Sequence, residues 1–187
     1  MNSYHNDIMI LQAWFSPAFP TGAFSYSHGL EAAIQHGLVS DKLSLTEWIS
    51  CLLTDGSGWN DSLFLKAAYE GVNDVNDLCI ALCSCKERYQ ETIELGKSFT
   101  RAVNESYGVE LEPGLAYPVA VGTAARRRNI DLKLTTQSYL QAFAASLISV
   151  GVRIIPIGQQ AGQDCLVTLC TIIEEANNKL DAAGLDQ

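Results

Sequence analysis

Chemistry in this 187-residue chain would have to come from its thiols, imidazoles and one serine-rich run. Six cysteines stand at positions 51, 79, 83, 85, 165 and 170. Cys79 and Cys83 lie one helical turn apart and Cys85 follows, a spacing at which thiolates could hold a soft metal. No second pair stands at finger spacing, and Cys165 and Cys170 are five apart. The cysteines are therefore expected as reduced thiols that pack as small apolar side chains, with no metal bound. His28 and His36, eight apart with no carboxylate pair beside them, suit surface or internally satisfied histidines better than ligands. The run SYSHG at 25–29 resembles half of a G-x-S-x-G nucleophile elbow, but it lacks the first glycine and no apolar strand precedes it. Capping of helix amides by the two hydroxyls is the plainer reading. A small helical hydrolase using Ser25, Ser27 and His28 is the alternative, and it fails if no third group orients the imidazole. The Gly56-Ser57-Gly58 stretch has no lysine and no preceding strand, so it breaks a helix rather than cradling a phosphate.

Two segments resist a purely structural reading. Residues 14–26 place five aromatics, two prolines and a glycine in a loop between helices. A loop that apolar must tuck into the core or meet a partner. Residues 153–163 place Arg153 at the end of an apolar helix, with Pro156 and three glutamines after it. A cation near a helix C-terminus is favourable, and Gln159 could cap the next helix. Both side chains nevertheless carry donors that a core would have to satisfy.

The elements that must position these segments all read as helical. Ser44 and Glu47 form a capping box for a helix over about residues 45–54. Asn60 or Asp61 caps the next, which runs to Gly71, and Asp74 caps a short one holding the first cysteines. A longer helix spans residues 87–107, with Tyr89, Ile93, Gly96, Val103 and Tyr107 as its apolar stripe and Glu91, Glu94, Lys97, Arg101 and Glu105 opposite. Pro118 suits the first turn of a helix that stops near Asn129. Thr135 or Thr136 caps a helix that is apolar on nearly every side and halts at Pro156, so it belongs at the centre. Residues 159–179 hold the last helix, with Cys165 or Leu166, Leu169, Cys170 and Ile173 on one face. Residues 1–187 are thus expected to form a single all-α domain, a bundle of about eight or nine helices.

Composition narrows the function. At 48% hydrophobic and 18% charged residues the chain is not intrinsically disordered. A chain of this length buries roughly 70% of its unfolded surface, enough for a core without staples. Twelve basic against 21 acidic residues, a net charge of −9, argue against a nucleic-acid or polybasic membrane-surface partner. The apolar run at 139–157 contains Arg153, which is costly in lipid, and the start shows no basic n-region before an apolar stretch. A cytoplasmic protein without a membrane span is expected.

The two unusual segments carry a family resemblance. Leu11-Gln12 followed by SPAFPTGAFSYS at 16–27 and Gly29-Leu30-Glu31 resembles the stretch SPALPVGAFSYSQGLE of UreF, a family of urease accessory proteins. GKSF at 96–99 and YPV at 117–119 with Gly122 fit the middle of that family, where HYPVVFG is usual. VRIIPIGQ at 152–159 with Gly162 and Gln163 is similar to its VRLIPLGQ…GQ. His28 replaces the usual glutamine, and Ala116 stands where histidine is frequent. The resemblance implies an all-helical adaptor, not an enzyme, that tends to dimerise. It would assemble with the accessory protein UreD (also UreH), the GTPase UreG and apo-urease, whose active-site lysine is carbamylated, and would help deliver nickel and regulate GTP hydrolysis. Nickel and GTP would be handled by those partners, leaving this chain without a cofactor. The interaction candidates on the matched motifs are Pro17, Pro20, Gly22, Phe24, Ser25, Tyr26, Ser27, Gly29, Glu31, Arg153, Pro156, Gly158, Gln159 and Gln163. The glycine and prolines of the first motif are expected to fold a loop that buries Phe19 and Phe24. Arg153 or Gln159 is expected either in a hydrogen-bond network at the Pro156 break or exposed at a partner surface.

Overall fold

A computed structural model describes residues 2–22 and 26–185. Among the described residues the regular structure is entirely helical, as α1 (Asn2–Trp14), α2 (Leu30–Gln35), α3 (Lys42–Thr54), α4 (Ser57–Glu70), α5 (Val75–Ala81), α6 (Lys86–Tyr107), α7 (Tyr117–Arg127), α8 (Leu132–Ile154) and α9 (Gly158–Leu180). The all-α expectation holds. No helix among these residues is long and apolar enough to cross a membrane.

α8 is the central element. It packs against α1, α2, α3, α4, α7 and α9 and buries Tyr139, Leu140, Ala144, Leu147, Ile148 and Val150. One side stays open, where Gln141, Ala145, Ser149 and Arg153 recur at four-residue steps and are exposed. The helix is therefore central without being enclosed. Around it, glycine permits close approach at two points. A Cβ on Gly122 of α7 would lie 2.2 Å from the Leu65 carbonyl of α4. A Cβ on Gly96 of α6 would lie 2.0 Å from the Leu115 carbonyl.

Several helix starts lie earlier than the sequence expectation, two of them because an upstream aspartate caps the helix. Asp41, not Ser44, opens α3; its carboxylate accepts from the Ser44 amide at 2.9 Å, and the Ser44 hydroxyl accepts from the Asp41 amide at 3.2 Å. The box is real but displaced by three residues, so Glu47 plays no part. α4 starts at Ser57 behind Gly56, which leaves Asn60 and Asp61 inside the helix rather than capping it. Asp131 caps α8 through the Leu134 amide at 2.8 Å. Thr135 and Thr136 are buried within the helix and return their hydroxyls to the Asp131 and Leu132 carbonyls one turn back.

The buried face of α6 also differs. Leu95, Gly96, Phe99 and Val103 face inward, whereas Tyr89 is 47% exposed. Glu91, expected among the solvated charges, is buried. On α9, Cys165, Leu169 and Ile173 are buried but Cys170 is exposed.

Candidate functional site

The segment between α1 and α2 is folded onto the bundle by its aromatics. Phe15 meets the Tyr139 ring edge-on at 5.9 Å, and Phe19 lies against Phe99 at 5.7 Å. Pro17, Pro20 and Gly22 are exposed. Gly22 has φ +77 with open space around its Cβ position, so glycine is required there by the backbone and not by packing. Phe24 and Ser25 lie outside the described residues. Tyr26 is half-buried, and burial, then the charges of Glu91 and Glu94, push its phenol above the usual range. The Ser27 hydroxyl donates to the exposed Glu31 carboxylate at 3.2 Å, away from His28. Gly29, at φ +79, starts α2.

Beneath this segment sits a cluster of buried charges that sequence reading missed. Arg88 of α6 donates through Nη2 to Asp61 Oδ1 at 2.9 Å and through Nη1 to Glu91 Oε2 at 2.5 Å. The Tyr139 hydroxyl donates to Asp61 Oδ2 at 2.8 Å. The second Glu91 oxygen meets His28 Nε2 at 3.1 Å, and His28 Nδ1 meets the Ser57 hydroxyl at 3.1 Å. The His28 ring lies on Phe143 at 4.6 Å. Every carboxylate oxygen is thus occupied, as burial demands. Burial pushes the Asp61 carboxyl up, and Arg88 and Tyr139 offset part of that. Burial acts the same way on Glu91, but His28 and Arg88 outweigh it and hold its carboxyl below the usual range. Arg88 loses solvent yet is held more firmly protonated by Asp61 and Glu91. The Tyr117 and Tyr139 phenols are raised by burial and by Asp61.

The cluster lines a cavity of about 70 Å³ shared with Trp14, Tyr26 and Tyr117. Of these residues the sequence singles out only His28 and Tyr26 as candidates. The remaining signal was weak: Arg88 and Glu91 are one turn apart, and Asp61 sits beside an apolar run.

The thiols form no competing centre. No group of three or more His, Cys, Asp or Glu among the described residues is placed to hold a metal ion. Burial pushes the Cys79 thiol up to about 12, with the Asp61 charge adding to it. Its neighbour Cys83 is raised by burial as well.

The second candidate region is the open side of α8. Arg153, Gln159 and Gln163 are exposed, and neither the Arg153 nor the Gln159 side chain has a hydrogen-bond partner among the described residues. The network option at the helix break is therefore not what the structure contains. Pro156 is exposed, and Gly158 takes φ +75 at the turn into α9. Arg153, Gln159 and Gln163 come together with Ala145, Ser149 and Val152 around a groove of about 410 Å³. A second groove, of about 230 Å³, runs from Leu11, Gln12 and Phe15 to Gln141, Ala142 and Ala145. Ala145 borders both, so the two grooves adjoin along α8 as a trough in two parts, one walled by α1 and the other by α9.

The chain as a whole resembles known proteins. The UreF family model matches residues 39–170. The chain belongs to the UreF family. A urease accessory protein UreF of Roseobacter denitrificans is 40% identical over 182 residues, covering 95% of this chain and 82% of that protein. Its namesake in Ruegeria pomeroyi is 41% identical over 176 residues, 90% of this chain and 81% of that protein. One from Cereibacter sphaeroides is 42% identical over 184 residues, 95% of this chain and 87% of that protein. Within this UreF-family chain, Ser16, Thr21 and Tyr26 of the first motif line the cavity of the buried charge cluster, and the last motif supplies one end of the trough.

Proposed function

We propose that the chain is a cytoplasmic adaptor of urease maturation, working with a UreD-like (UreH-like) protein, a UreG-like GTPase and apo-urease. In that role it acts as an assembly chaperone for nickel insertion and regulates GTP hydrolysis by the GTPase, while nickel and GTP are held by the partners. A homodimer is its working form, and the whole chain acts as one domain. Family membership supports the biological setting. The observation that carries the adaptor role is the trough along α8, which leaves Arg153 and Gln159 in solvent with their donors unpaired. Small side chains at Ala145 and Ser149 let another helix or loop approach closely, and the guanidinium at one end offers a fixed charge for a partner carboxylate.

The test is a pull-down of the purified chain with the two accessory proteins and apo-urease. Arg153→Ala is expected to keep its thermal midpoint and to weaken assembly and urease activation. A variant that folds, assembles and activates urease like the wild type would remove Arg153 from the partner face.

A further inference from the structure

The hydrolase alternative turned on whether a third group orients His28, and the structure contains such a group, joined to a serine that the elbow-like run did not include. The Glu91 carboxylate accepts from His28 Nε2–H at 3.1 Å. That fixes the tautomer and leaves Nδ1 to accept from the Ser57 hydroxyl, also at 3.1 Å. The His28 and Glu91 side chains are only 7% and 8% exposed, and Phe143 holds the imidazole plane. Ser57 is half-buried and lines an open groove of about 450 Å³ with Gly56, Asn60, Phe64, Leu82 and Cys83. Base and orienter are thus shielded from water, while Ser57 itself belongs to the lining of an open groove. Nucleophile, base and orienter stand within hydrogen-bond reach in that order, which is the arrangement covalent catalysis requires.

We propose that Ser57, His28 and Glu91 form a relay that takes an acyl group from small activated esters onto the Ser57 hydroxyl. This goes beyond the adaptor reading and does not depend on it. Ser57 Oγ forms a bond to the ester carbonyl carbon as its proton passes to His28 Nδ1, and Glu91 balances the imidazolium. Collapse of the tetrahedral intermediate breaks the bond to the leaving alcohol, which departs with the proton from Nδ1 and leaves acyl-Ser57. Water then adds with the same imidazole taking its proton, and the carboxylic acid and free hydroxyl return. The two ring nitrogens exchange the places they have in serine proteases, and either nitrogen serves as a base. Ser57 opens α4 behind Gly56, which gives no side-chain cap, so the first amides of that helix have no capping acceptor.

The experiment is hydrolysis of p-nitrophenyl acetate by the full chain at neutral pH, with peptide mass mapping of the acetyl group. The wild type should release nitrophenolate about a hundredfold faster than Ser57→Ala or His28→Gln, the usual worth of a positioned base, with acetyl on Ser57. Glutamine can still bridge Ser57 and Glu91 but cannot take the proton. Equal rates in the three proteins, or acetyl confined to lysines and cysteines, overturns the proposal. If either variant loses its helical circular dichroism, a fluorophosphonate applied to the wild type decides: an adduct on Ser57 supports the relay and its absence overturns it.

Discussion

Replacing Arg88 by leucine removes a guanidinium that faces two buried carboxylates. Asp61 is 5% exposed and Glu91 6%, and each loses a bond, of 2.9 and 2.5 Å respectively. Removing one partner of such a pair costs about 3–5 kcal/mol, because the charge left behind is buried and uncompensated. For a chain of this length that is a fall of about 6–20 °C in thermal midpoint. The pH dependence sharpens the test. In the wild type the Glu91 carboxyl is lowered from 4.5, so its stabilisation is fully present above that value and is lost as pH falls through the folded one. Asp61 is raised from 3.8, and its unfavourable contribution at neutral pH is relieved on acidification. Without Arg88 the attraction on both carboxylates goes and burial remains, so both prefer the neutral form. The deficit of Arg88→Leu should therefore be largest at pH 7 and shrink toward pH 5. Urea unfolding of both proteins at the two pH values measures it. A deficit below about 1 kcal/mol at pH 7, the range of an exposed ion pair, or one that grows on acidification, would refute the assignment of this cluster as a buried charge network.

Three further outcomes are expected. Gly96→Ala forces a methyl against the Leu115 carbonyl and should cost about 1–3 kcal/mol in the same unfolding assay. An Ellman titration should show prompt reaction of Cys51, Cys85 and Cys170, which are exposed, and reaction of Cys79 and Cys165 only after denaturant; rapid native modification of Cys79 would contradict its burial. Calorimetry should detect neither nickel nor GTP binding at micromolar concentration, and nickel binding abolished by Cys79→Ser would reverse the reading of the thiols.

What the sequence disclosed and what it hid divide along physical lines. From residue 44 onward helix existence was legible because breakers such as Gly71, Pro118, Asn129 and Pro156 punctuate the chain, whereas α1 and α2 were not placed. Helix starts were not, because Asp41 and Asp131 cap as well as the hydroxyls downstream and local pattern does not choose between them. The charge cluster was hidden for a different reason. His28, Asp61, Arg88 and Tyr139 are far apart in the chain, and only the tertiary fold brings α4, α6, α8 and the segment before α2 to one place. A periodicity argument that sorts residues by polarity sends Glu91 to the surface, since it cannot see the guanidinium and imidazole that satisfy it. Arg153 was legible as unusual because a donor-rich side chain follows an apolar helix. Its exposure was settled by the outward strip of α8, which an almost uniformly apolar sequence had obscured.

The adaptor reading rests on the trough along α8 meeting a partner, and Ala145 lies where its two grooves join. Ala145→Arg places a large cation in the trough at an exposed position, so the fold should tolerate it. The decisive measurement is urease activation in a reconstituted mixture of this chain, the UreD-like protein, the UreG-like GTPase, apo-urease, nickel and GTP, with complex mass followed by light scattering. The adaptor account predicts that Ala145→Arg keeps its helical circular dichroism and thermal midpoint yet fails to assemble and to activate urease. Assembly and activation equal to the wild type would contradict it.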